Sequence, residues 1–103
     1  MRPIHEVSGI LLSRFREKGV AQVEGYNKYG YIGETNNAVI VSRQRGNETR
    51  VPFTTIEKAI GVVRNNPQVY NKGPSGLRLH GFSHITSPVW AILHLVELSE
   101  LLE

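Results

Sequence analysis

The sequence predicts an α+β domain: an N-terminal helix, an antiparallel meander of three to four strands, then two further helices packed on one face of the sheet. Three observations carry that expectation. Apolar residues recur at helical spacing near the start of the chain, short β-branched and aromatic runs separated by turn residues fill the middle, and an apolar run opened by Ser-Pro closes it. With 103 residues and 40% hydrophobic content, the chain has material for one core and reads as a single domain, residues 1–103.

Ile4, Val7, Leu11 and Phe15 are spaced by three and four, with Glu6, Ser13, Arg14, Glu17 and Lys18 on other faces, so residues 3–18 read as an amphipathic helix. Pro3 suits its first turn and Gly19 its stop. The period then changes. Val20–Val23, Tyr29–Gly33, Ala38–Ser42 and Arg50–Phe53 are strand-like runs, divided by Asn27-Lys28, Asn36-Asn37 and Arg45-Gly46-Asn47. Pro52 cannot donate to a ladder, which places it at an edge or a strand end.

Thr54-Thr55-Ile56-Glu57 has the form of a capping box and predicts a second helix with Thr54 as N-cap, running through Ile56, Ile60 and Val63 to about Arg64. Asn65-Asn66-Pro67 ends it, the segment to Gly76 reads as a loop, and Leu77–His80 as a short strand. Ser87 and Pro88 predict an N-cap and first position for a third helix over Val89–Leu102. Its apolar residues cover more than one face, from which a homodimer through residues 88–102 is expected. Trp90, the single tryptophan, suits that interface or the core.

All twelve Lys and Arg lie between Arg2 and Arg78, against six Glu in the same region, whereas residues 79–103 carry only Glu97, Glu100 and Glu103. A basic body with an acidic end suits a surface that meets a polyanion, since carboxylates are excluded from such contacts. The chain holds no Asp and no Cys. Magnesium-dependent phosphoryl chemistry, which favours short carboxylate ligands, is thereby disfavoured, and thiolate zinc sites, disulfides and cysteine nucleophiles are excluded. No metal, cofactor or catalytic residue is assigned. The start of the chain lacks a signal-peptide pattern, and no run approaches the roughly 18 apolar residues of a membrane span, so a cytoplasmic location without membrane contact is expected.

Two residue groups can carry function. Lys28, Tyr29, Tyr31, Arg43, Gln44, Arg45 and Arg50 combine cations for phosphates with aromatic rings and an amide for bases, in and around the meander. Arg78, His80, His84, Thr86 and Ser87 gather before the last helix, where free N–H groups and the positive helix end attract an anion. The resulting expectation is an accessory or regulatory domain that binds nucleic acid, DNA or RNA. Three alternatives stand beside it: a small protein-binding inhibitor or anti-defence factor, a metal-independent RNase using Arg78, His80 and His84, and a binder of a phosphorylated ligand lodged between the 67–86 segment and the sheet.

Overall fold

The computed structural model describes residues 1–44 and 46–103. Helix α1 (Ile4–Lys18) ends at Gly19, whose φ of 77° lets its N–H turn back to the Phe15 carbonyl at 2.8 Å. Four strands follow, β1 (Val20–Ala21), β2 (Tyr29–Glu34), β3 (Ala38–Arg43) and β4 (Thr49–Pro52), in the order β1-β2-β3-β4 with every pair antiparallel. Pro52 closes β4 at the sheet edge, as expected of a residue without an N–H.

Alternation along the strands sends Val39, Val41 and Val51 to full burial, while Ile40, Ser42 and Arg50 take the opposite face and stay partly or wholly exposed. The helices cover one face only. Helix α2 (Phe53–Asn65) is central to them and touches α1, α4 (Thr86–Leu93) and α5 (Leu98–Leu102). Phe15, Leu11, Ile56, Ile60, Leu77, Ile92 and Leu101 are all without solvent exposure in the resulting core. None of the helices is long and apolar enough to cross a membrane, among the described residues.

Four local expectations are corrected. Helix α2 begins at Phe53 directly after Pro52, with no side-chain cap, because the chain passes from β4 into the helix without an intervening residue. Thr54 is already inside the first turn, and the Phe53 N–H is satisfied by the Asn37 carbonyl at 2.9 Å. The segment after α2 is a 3₁₀ helix, Pro67–Asn71, which buries Val69 and Tyr70. Leu77 lies in a helical turn, α3 (Ser75–Arg78), where a strand was expected.

The fourth correction concerns the last helix. It is two helices, and Ile85, not Ser87, holds the N-cap position of α4. His94 ends α4, its Nε2 donating to the Tyr70 carbonyl at 2.8 Å while the Tyr70 hydroxyl donates to the Val96 carbonyl at 2.7 Å. These bonds turn the chain, so α5 folds back against α2. Val89, Trp90, Ile92, Leu93, Val96 and Leu101 are consequently buried within a single chain. Much of the apolar surface that suggested a homodimer through residues 88–102 is packed inside the chain by this bend, while Leu95, Leu98 and Leu102 stay partly exposed.

Candidate nucleic-acid interface

The outer face of β4, the first turns of α2 and the segment leading into α4 enclose a groove of about 360 Å³. Arg50, Lys58 and His84 line it, with the hydroxyl side chains of Thr55 and Ser83, and no carboxylate is among its described lining residues. Each cation arrives for a local reason. Arg50 flanks the buried Val51, so alternation turns it away from the core, and its Nη2 donates to Asn37 Oδ1 at 2.6 Å. Lys58 neighbours the buried Ala59 on α2, and its amine lies 4.9 Å from the centre of the Phe82 ring. Gly81 has a φ of 90°, and a Cβ there would stand 3.3 Å from the Lys58 amine, so the glycine leaves room for the cation to lie close.

Helix polarity adds to this field. The groove is lined by Pro52 and Thr55 at the start of α2 and by Ile85 at the N-cap of α4, and neither helix carries an acid in its first turn. Both positive helix ends therefore border the same space. Among the described residues, Arg50, Lys58 and His84 take part in no salt bridge.

A second groove, of about 370 Å³, opens near the β2 and β3 ends beside Asn27, Tyr29, Arg43 and Gln44. Arg43 shares the parity of Val39 and Val41 but is exposed at the end of its strand, and its guanidinium carbon sits 5.8 Å from the centre of the Tyr29 ring. Its Nε donates to Thr49 Oγ1 at 2.7 Å. The Lys28 backbone N–H donates to Gln44 Oε1 at 3.0 Å. Asn27 and Tyr29 also line an adjoining cleft of about 150 Å³ against Tyr26, Pro74, Ser87 and Trp90.

The structure thus divides both groups of residues singled out from sequence. Lys28, Tyr29, Arg43 and Gln44 come together, whereas Arg50 leaves the opposite face of the sheet. Tyr31 turns toward α1, its ring edge-on to Phe15 at 5.3 Å, and its hydroxyl donates to Glu34 at 2.6 Å. The Glu34 carboxylate also takes the Arg16 guanidinium at 2.6 Å, which holds its pKa below the usual range, and the bond to Glu34 raises that of the Tyr31 phenol. A tyrosine tied to a carboxylate is poorly placed to meet nucleic acid. Arg45 lies outside the described residues.

In the second group, His84 joins Arg50 and Lys58, Ser87 joins the Trp90 cleft, and Arg78 and His80 line neither groove. Thr86 is 1% exposed, so its hydroxyl is out of reach of an incoming anion. Among the described residues, no three of His, Cys, Asp and Glu gather closely enough to hold a metal ion.

Sequence reasoning missed Lys58 and Phe82. An isolated lysine on an amphipathic helix looks like any solvated position, and only the fold-back of the segment 81–85 onto α2 gives it partners. Arg43 and Arg50 read as one basic patch on linear proximity, but strand alternation, applied residue by residue, already separates them. No protein-family model, curated protein sequence or solved structure shows a significant match to this chain.

Proposed function

We propose that this protein binds nucleic acid, with Arg50, Lys58 and His84 contacting backbone phosphates along the groove between β4, α2 and the start of α4. The observation that supports this reading is the convergence of Arg50 and Lys58 with His84, which comes from a later segment, on one groove without a carboxylate among its described lining residues. Side chains of this kind serve phosphate contacts, which position a strand and supply affinity without reading its sequence. Thr55 and Ser83 add hydroxyl donors to the same walls. Because α4 buries its apolar residues and α5 its Leu101 inside the chain, the proposed binding unit is one subunit.

Fluorescence anisotropy with labelled single-stranded and duplex oligonucleotides tests the proposal. Binding that weakens steeply as salt rises is the expected result. Absence of binding to DNA and RNA at about 50 mM salt, where nonspecific electrostatic affinity is strong, overturns it.

A further inference from the structure

We infer that the groove joining Arg43 to Trp90 is a second, separate site, for a nucleoside monophosphate, either free or as the phosphorylated end of a strand. Among the described residues it shares no lining residue with the Arg50 groove, and it does not depend on it.

The site has two lobes with different chemistry and a common wall, Asn27 and Tyr29. In the larger lobe, Arg43 is held by one nitrogen only: its Nε bonds to Thr49 Oγ1, which fixes the guanidinium plane. Its two terminal amino groups have no protein acceptor among the described residues, an arrangement that suits the paired oxygens of a phosphate. Gln44 spends its carbonyl oxygen on the Lys28 N–H, which leaves its amide NH₂ to donate. Among the described residues, no carboxylate lines either lobe. The larger lobe therefore offers donors to an anion.

The smaller lobe offers flat apolar surface with a few polar groups. Tyr26, 46% exposed, meets Trp90 edge-to-face with ring centres 4.8 Å apart. Pro74 and Ala91 complete the apolar wall, and Ser87 and Asn27 supply a hydroxyl and an amide. Trp90 is 3% exposed, and its indole N–H, shut off from solvent, has no acceptor among the described residues. A purine or pyrimidine ring brings a flat face for the exposed Tyr26 ring and polar edge atoms for Ser87 and Asn27. Volumes of about 370 and 150 Å³ together suit a ligand of this size, small-molecule sites spanning roughly 300–1,000 Å³. A charged lobe beside an aromatic lobe matches a phosphate joined to a base.

Trp90 is the only tryptophan, so its emission reports directly on the smaller lobe. Titration with the nucleoside 5′-monophosphates is expected to give a saturable change, with calorimetry in parallel to register binding that leaves the emission unmoved. The corresponding nucleosides are expected to bind roughly tenfold to a hundredfold more weakly, the loss typical of charge-assisted hydrogen bonds. Arg43→Ala is expected to weaken nucleotide binding by the same factor and to abolish the difference between nucleotide and nucleoside. Arg50→Ala/Lys58→Ala is expected to leave it intact, which separates this site from the phosphate groove. Comparing free nucleotides with a 5′-phosphorylated oligonucleotide distinguishes the two sources of the ligand. Absence of saturable binding by both probes, or nucleotide affinity unchanged in Arg43→Ala, overturns the inference.

Discussion

Removing Arg50 and Lys58 together puts a number on the phosphate groove. Each phosphate neutralised by the protein adds about 0.9 to the slope of log K against log salt on duplex DNA and about 0.7 on a single strand. Two cations engaged with two phosphates therefore account for about 1.8 or 1.4 of the slope. Between 50 and 200 mM salt, that share corresponds to about a twelvefold fall in affinity on a duplex and about a sevenfold fall on a single strand. The Arg50→Ala/Lys58→Ala variant should lack this component: weaker than the parent at low salt, with the gap closing by roughly tenfold across the range. Both side chains are exposed, and what the variant loses from the fold is the Arg50 bond to Asn37 and the Lys58 contact with Phe82. The second is worth about 0.5–1 kcal/mol at an exposed site, so the variant should remain folded by circular dichroism. Anisotropy titrations at four or five salt concentrations provide the slopes. A folded double variant with the parent's slope refutes the assignment of these residues to phosphates.

Two further predictions concern the bend between α4 and α5. Burial lowers the His94 pKa from its ordinary value, an effect that outweighs the bond to the Tyr70 carbonyl and the nearby Glu97. The unfolded chain thus takes up a proton at higher pH than the folded one, and the stability due to neutral His94 is present above the unfolded value of about 6.5 and lost as pH falls toward the folded one. Urea midpoints at pH 7.5 and 5.5 should show a drop that shrinks in His94→Gln; equal drops in both proteins contradict it. Tyr70→Phe strands the buried Val96 carbonyl and should cost about 1–3 kcal/mol by denaturant unfolding, while a change within about 0.5 kcal/mol means that the bend is held by other contacts.

The parts of this fold that were legible in the sequence are those fixed by local period. The three- and four-residue spacing of Ile4, Val7, Leu11 and Phe15 needs no tertiary information to place a helix, and the β-branched run Val39-Ile40-Val41 does the same for a strand. The last helix was misread because its apolar run continues past His94, and periodicity is blind to a break made from outside. What interrupts it is Tyr70, 24 residues earlier, which accepts from His94 and donates to Val96. The candidate sites follow the same division. Arg43, Gln44, Arg50 and His84 were legible as residue types near turns and a helix start. Their partition between two grooves depended on strand parity and on the return of the segment 81–85 to α2, a contact with no local signature.

The acidic end also takes on a different meaning. Glu100 accepts the Arg14 guanidinium at 2.7 Å, while the Arg14 Nη1 donates to the Leu95 carbonyl at 3.4 Å, so an acid of α5 is spent on a cation of α1. Arg16 is spent in the same way on Glu34. The basic body and acidic tail are therefore not opposed surfaces: part of the tail's charge neutralises helix α1, and the unpaired cations of the grooves lie elsewhere. Charge removal should accordingly act by location. Arg14→Gln alters net charge as much as loss of any single groove cation, yet it should leave the salt slope of nucleic-acid binding unchanged. Its effect belongs to stability. The bond to Arg14 is the main cause holding the Glu100 pKa below its ordinary value, so the stability it confers is present above the unfolded carboxylate pKa and lost as pH falls through the folded one. Arg14→Gln should diminish that acid-side loss, measured by urea unfolding between pH 6 and pH 3. A variant that instead reduces the salt slope as much as Arg50→Ala does would show that binding follows overall charge, and the groove would lose its claim to the phosphates.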